Sequence, residues 1–311
     1  MRNRRLETVF LAAVLLAGAA ESRAATPEYH VVDAVGADVH FVRTPKRIVP
    51  LQPSLAELAV RVGAPIEAIV GVSAYTDFPL ELKKKPSIGS YAKPNLEAIL
   101  ALKPELVLAG RDGTPKEIVA RLGKLGIPVV TVATETLAGL REAYRVVGAA
   151  LRRSTEATAA LAEFDGELAA LRKRAETRTK AGNSAKVLLQ VGEDPLVVAA
   201  GKTYLNEGLG VIGATNVYAD PEQTYPRVSI EDVLKKDPDA IVLVGMGDDV
   251  AQFSRAEKRW KSYPKLAAAR AGRIVLLRSD SLVRPGPRFP GGLVELERAV
   301  YGAKAAEGGK P

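Results

Sequence analysis

The sequence predicts an α/β protein built as two Rossmann-like lobes joined by a single long α-helix. Three observations carry this expectation. One pattern occurs twice, as Asn95-Leu-Glu97-Ala-Ile-Leu-Ala-Leu-Lys-Pro104-Glu-Leu-Val and as Ser229-Ile-Glu231-Asp-Val-Leu-Lys-Lys-Asp-Pro238-Asp-Ala-Ile-Val. In both copies a glutamate near a helix start is followed by a proline, an acidic residue and an apolar run. The two copies are a whole domain apart, too far for a solenoid repeat. The apolar runs Leu106–Ala109 and Ile241–Val244 are short and unbroken, as in strands covered on both faces of a parallel sheet. Finally, Ala157, Leu161, Phe164, Leu168, Leu171 and Ala175 recur at alternating spacings of four and three, which makes one helical stripe.

Each element follows in order. Residues 29–43 alternate as a β-hairpin turning near Gly36, and Arg47–Leu51 is a short strand. Ser54-Leu-Ala-Glu57 has the pattern of a capping box for a helix that stops at Gly63. Ala68–Val72 and Ile127–Val132 are further strands. Asn95 and Ser229 are N-caps, since their side chains can accept from the free N–H groups of a first turn. A helical stretch spans 137–178, and its 152–176 portion would form a rod of about 37 Å at 1.5 Å per residue. It lacks the Gly/Ser composition of a flexible linker. The second lobe has strand patterns at 186–191, 196–199, 241–245 and 273–278, and a helix at 291–301. The expected domains are a signal peptide at 1–24, lobes at 25–150 and 179–311, and a connecting helix at 151–178.

At 311 residues the chain is long enough for two cores. Arg2, Arg4 and Arg5 precede the apolar run Val9–Ala20, and Ser22 and Ala24 sit at small-residue cleavage positions. That is the pattern of a secretory signal. Cleavage after Ala24 would reduce the formal charge from +8 to about +6. The chain has no cysteine, so disulfides, thiolate metal sites, a thiol nucleophile and an acylated lipobox cysteine are excluded. The mature protein is therefore expected free in a periplasm. Basic residues are not clustered with aromatics, so nucleic acid is not an expected partner.

Catalytic sets are poorly supplied. Gly208-Leu-Gly210-Val-Ile-Gly213 has the letters of a dinucleotide fingerprint, but a helical segment precedes it instead of a strand. His30 and His40 share one hairpin, and zinc capture needs histidines and carboxylates converging from several elements. No metal ligands, catalytic residues or cofactor are assigned. A secreted enzyme would need a base–nucleophile or metal constellation that the sequence does not offer. The aromatics are better placed. Tyr75 follows a strand, while Tyr91 and Tyr225 each precede a repeated glutamate by six residues, so the tyrosine belongs to the repeat. Tyrosine offers a broad apolar face with a hydroxyl that tolerates water. Asp280, Arg284 and Arg288 lie on a loop stiffened by Pro285 and Pro287, where guanidiniums suit oxygen-rich groups; alternatively Asp280 and Arg284 form a local ion pair.

Together, Arg-Ile-Val-Pro-Leu51, Gly-Val-Ser-Ala-Tyr75-Thr-Asp-Phe-Pro, the Glu97 segment and Arg284-Pro-Gly-Pro-Arg288 resemble the periplasmic receptors that serve ABC importers of cobalamin, ferric siderophores and haem. The resemblance runs from about Arg47 to Tyr301. It implies the helical-backbone metal-receptor fold, a monomer, and a metal-chelate ligand in the cleft. It further implies that Pro53, Ser54, Tyr75, Tyr91, Tyr225, Asp280, Arg284 and Arg288 contact the ligand, and that Glu97 and Glu231 dock on arginines of the importer's membrane permease. The pattern is most similar to cobalamin-binding members, which carry tryptophan where Tyr91, Gly110 and Tyr225 stand here. The thinner aromatic wall leaves a different corrinoid, a haem or a siderophore open.

Overall fold

A computed structural model describes residues 28–245 and 250–302. The signal peptide expected at 1–24 lies outside them. The chain opens with the hairpin β1 (Tyr29–Val32) and β2 (Asp38–Phe41), antiparallel as expected. Its turn is tied by the Asp33 carboxylate, which accepts from the N–H groups of Val35, Ala37 and Thr131.

β3 (Ile48–Pro50) leads into α1 (Pro53–Arg61). The hairpin β4 (Gly89–Ser90) and β5 (Lys93–Pro94) comes next, followed by α2 (Leu96–Ala101) and β6 (Leu106–Gly110). The first lobe is completed by α3 (Lys116–Lys124), β7 (Val129–Val132) and α4 (Leu137–Ala150). Its sheet is parallel in the order β3-β6-β7.

Two expectations fail in this lobe. Ser54 and Glu57 do not form a capping box: Gln52 is the N-cap, without a side-chain cap bond. Pro53 takes the first helical position, where its missing N–H is no loss, and this displaces Ser54 into the first turn. The Ala68–Val72 strand is reduced to two isolated parallel bridges, Ile48 to Ile69 and Val72 to Ser87. A 3-10 turn at Ile66–Ala68 consumes the start of that run.

The helical stretch is broken into α4 and α5 (Ser154–Lys180) by Arg152, whose backbone is left-handed at φ 52. The connecting helix thus starts three residues after the expected position and ends two later. All six stripe residues of α5 are buried. Each Leu or Phe among them contributes about 1.5–3 kcal/mol on full burial, against about 0.2–1 kcal/mol for an exposed ion pair. The stripe therefore fixes how the rod lies. On the first lobe α5 packs along α4, with Arg141 bonded to Asp165 at 2.7 Å and Arg61 paired with Glu163.

The second lobe contains β8 (Ala185–Gly192), β9 (Val197–Val198), α6 (Tyr204–Val211), β10 (Ala214–Asn216), α7 (Ile230–Lys236) and β11 (Ala240–Gly245). It continues with α8 (Val250–Lys261), α9 (Ala267–Arg270), β12 (Ile274–Arg278), α10 (Asp280–Val283) and α11 (Phe289–Tyr301). The order β10-β8-β11-β12 is parallel, and β9 pairs antiparallel to β8. Here α5 is anchored by a buried cluster: Arg174 and Arg178 both reach Glu297 of α11, at 2.6 and 2.9 Å, and Glu297 is fully buried. Gly208 and Gly210 lie inside α6 and Gly213 follows its end, so no strand–glycine turn–helix unit exists there.

The repeat is structural. α2 and α7 are capped by Asn95 and Ser229, which accept from Ala98 and Asp232 at 3.0 and 3.1 Å. Both helices end next to a left-handed residue before the proline, Lys103 at φ 47 and Asp237 at φ 41. Both lead into the strand lying between two partners, β6 and β11. Glu97 and Glu231 occupy the second helical position in each and are exposed.

Candidate functional site

The loops at the C-terminal ends of β3, β6, β7 and β12 meet between the lobes. Tyr75 and Tyr91 come from the first lobe. Tyr91 sits at the tip of the β4–β5 hairpin, and its ring meets that of Tyr75 edge-on, with centroids 5.8 Å apart. Its other neighbour is the 111–113 loop after β6: a Cβ built on Gly113 would lie 3.6 Å from the Tyr91 ring. Tyr225 comes from the second lobe and approaches the same loop. Burial pushes its phenol up to about 12, and the charges of Asp112 and Glu135 add to that rise. Water still reaches 45% of the residue. Tyr91 and Tyr225 thus approach one loop from opposite lobes, and Tyr75 packs against Tyr91.

That loop is acidic. Burial raises the Asp112 carboxyl, and the charge and hydrogen bond of Glu135 raise it further. Glu135 also receives the Arg111 guanidinium through two bonds, at 2.8 and 3.1 Å. Gln52, placed ahead of α1 by Pro53, donates to the Asp112 carbonyl at 2.7 Å. Its side chain fills the space over Gly110, where a Cβ would come within 2.2 Å of Gln52 Oε1. An aromatic at position 110 would need Gln52 to leave.

The Asp280–Arg288 segment does not project free guanidiniums. Arg284 forms two bonds to Asp77 across the gap, at 2.5 and 3.2 Å, and pairs with Asp280 at 3.2 Å. Arg288 grips the buried Glu57 of α1 at 2.6 and 2.8 Å and stacks over the Phe78 ring at 4.5 Å. The expectation of arginines open to a ligand is corrected in this conformation, because opposed carboxylates compete for the same donors. The local Asp280–Arg284 pair does form. Asp280 opens the short helix α10, capped by Ser279.

Pro53 and Ser54 are buried. Gly286 lies against Ser54, and a Cβ there would approach to 3.1 Å, so a side chain at 286 would push the loop a few tenths of an ångström off the α1 start. A third interlobe tie is the Glu207 carboxylate of α6, which accepts from Leu137 N at the start of α4 at 2.6 Å.

Burial raises Asp77, but the bond and charge of Arg284, with help from Arg288, outweigh it and leave the carboxyl below its ordinary range. Arg288 is raised, chiefly by its bond to Glu57. A hollow of about 400 Å³ lies elsewhere, along α5 beside Arg172, Thr179 and Gly213, and none of the tyrosines above lines it. Sequence reasoning missed Glu57, Asp77, Asp112, Glu135 and Gln52. Asp77 was visible next to Tyr75, whereas Glu57 was assigned to a cap.

Two α/β lobes joined by one long helix, with tyrosines bordering the gap between them, are the architecture of a solute-binding protein. The chain belongs to the periplasmic binding protein family, whose model matches residues 48–281. It is 33% identical over 245 residues to a vitamin B12-binding protein of Pectobacterium carotovorum, covering 79% of this chain and 84% of that one. The crystal structure of a periplasmic vitamin B12-binding protein of Vibrio cholerae aligns with a TM-score of 0.70 at 27% identity, covering 85% of this chain and 98% of that one. A periplasmic haem-binding protein from a Roseiflexus species aligns with a TM-score of 0.72 at 28% identity, covering 84% and 99%. Among the described residues no helix is long and apolar enough to cross a membrane.

Proposed function

We propose that this protein captures a corrinoid of the cobalamin type between its lobes, in the periplasm, and delivers it to an ABC importer. The observation that carries the reading is the charge state of the gap. Arg111, Arg284 and Arg288 each already bond a carboxylate. A dianionic guest such as haem would have to break those pairs to neutralise its carboxylates, and the buried Glu57 left unpaired would cost several kcal/mol. A corrinoid edged mainly by neutral carboxamides makes no such demand. Its amides match a gap bordered by Tyr75, Tyr91 and Tyr225, and the Tyr225 phenol, held at about 12, stays a hydrogen-bond donor at neutral pH. The vitamin B12-binding relatives support the same choice.

Tyr75, Tyr91 and Tyr225 provide flat contact. Asp280, Arg284 and Arg288, kept in their ion pairs, form the polar edge of the gap beside the ligand's side groups, and Pro53 and Ser54 form the floor beneath. Each aromatic contact is worth about 1–3 kcal/mol, so three of them supply a large part of the roughly −8 to −12 kcal/mol of a micromolar to nanomolar receptor. No bond is made or broken. Glu97 and Glu231, exposed at equivalent helix starts, serve as the docking points for the permease.

A second reading, a haem or ferric-siderophore receptor, rests on Tyr91 as an iron-binding phenolate and on the haem-binding structural neighbour. Gel filtration of the mature protein with cyanocobalamin and, separately, with haemin tests the choice. Corrin absorbance should co-elute with the protein, and Tyr225→Ala should weaken retention about tenfold. Co-elution of a haem Soret band without any corrin would overturn the reading.

A further inference from the structure

Outside the cleft, the N-terminal hairpin assembles a ligand set that its sequence spacing hides. His30 and His40 are direct cross-strand partners, and Asp38 lies two residues from His40 on the same strand. Side chains of a strand alternate between faces, so residues two apart and residues directly opposite share one face. The three side chains consequently gather on the solvent side. The imidazole rings stack with centroids 5.6 Å apart. His30 Nδ1 lies 2.7 Å from Asp38 Oδ1, and His40 Nε2 lies 3.5 Å from Asp38 Oδ2. One ligand atom from each residue falls within 4.8 Å of the others.

The opposite face of the hairpin is fixed. Tyr29 and Phe41 stack at 4.9 Å, the Tyr29 hydroxyl donates to Ala150 O at 2.7 Å, and Asp33 ties the turn to Thr131. The backbone that carries the three ligands is thus held by the lobe, and only exposed side-chain torsions remain to adjust.

We propose that this face binds one divalent late first-row transition-metal ion through His30, His40 and Asp38. Two ligand atoms about 2.1 Å from a common tetrahedral ion stand about 3.4 Å apart, between the 2.7 and 3.5 Å separations from Asp38 and the 4.8 Å that bounds the set, so small side-chain rotations suffice. Two imidazole nitrogens and one carboxylate oxygen suit Zn2+, Cu2+ or Ni2+ better than Mg2+ or Ca2+, which prefer all-oxygen shells. The ion replaces the His30–Asp38 hydrogen bond with coordinate bonds, and water completes the shell. The site lies on exposed residues, so it exchanges ions freely. It is separate from the tyrosines and from any chelate they hold.

The test is calorimetric titration of the mature protein, purified without a polyhistidine tag, with ZnCl2 and with CuSO4, alongside His40→Ala, His30→Ala and Asp38→Asn. The wild type should take up one ion per chain. Either histidine variant should lose that site, and Asp38→Asn should weaken it. Copper EPR of the wild type should show two coupled nitrogens. All three positions are exposed, so the variants should keep the wild-type Tm and corrin retention. Equal uptake by wild type and both histidine variants, or no uptake by the wild type, overturns the proposal. Loss of corrin binding by the wild type would instead bear on the cleft alone.

Discussion

The two lobes use one plan and opposite charges. In each, an N-capped helix with an exposed glutamate at its second position is followed within two residues by a left-handed residue, turns at a proline and feeds a strand flanked on both sides by parallel neighbours. Yet where the lobes face each other the first contributes Glu57 and Asp77, and the second contributes Arg284 and Arg288. The outer surfaces repeat while the inner ones complement. A duplicated scaffold thus carries two equivalent exposed glutamates, the docking points proposed above, and still pairs its charges across the gap.

The proposed docking glutamates give the largest expected effect. Glu97→Arg with Glu231→Arg should abolish uptake of cobalamin in cells while corrin retention by the purified protein stays unchanged. If one reversal alone abolished uptake and the other had no effect, the two glutamates would not be equivalent, and the symmetry of the outer face would be broken.

The connecting helix is anchored unequally, and this sharpens the contrast between the lobes. Its hold on the second lobe runs through the fully buried Glu297, whereas its ion pairs with the first are half-buried at Arg141–Asp165 and exposed at Glu163. Glu297→Ala leaves two guanidiniums without their carboxylate and should cost about 3–5 kcal/mol in urea unfolding, while Glu163→Ala should cost under about 1 kcal/mol. Equal losses would show that burial does not separate the two anchors.

The smallest effect concerns pH. Asp77 titrates below its ordinary range in the fold because Arg284 holds the charged form. A lowered folded value means that the interlobe pair contributes stability above the unfolded carboxyl's range and loses it as pH falls through the folded value. The melting temperature of the wild type should therefore drop more steeply in acid than that of Asp77→Asn. Parallel curves would remove Asp77 from the set of charges that hold the lobes together.

Much of this was legible in the chain. The repeat, both N-caps, the stripe of α5 and the strands β3, β6, β7, β8, β11 and β12 follow from local spacing and propensity. The break at Arg152 was not, because a left-handed residue other than glycine carries little sequence signature. Strand β10 was not legible either: its three residues are too few to show a period. Glu57 illustrates the limit well. A Ser-x-x-Glu pattern has a local meaning, but here the carboxylate bonds an arginine 231 positions away. The same holds for the two histidines, whose register across the hairpin brings them beside Asp38.

The sequence by itself determined the family, the two-lobed plan and the tyrosines and glutamates that travel with the repeat, since these depend on neighbours along the chain. Only the tertiary structure decided which charges satisfy one another across the gap, that Gln52 fills the space over Gly110, and that three polar residues converge on the hairpin face. Those outcomes rest on Coulomb attraction and close packing between segments that meet only after folding, and such meetings leave no local pattern to read.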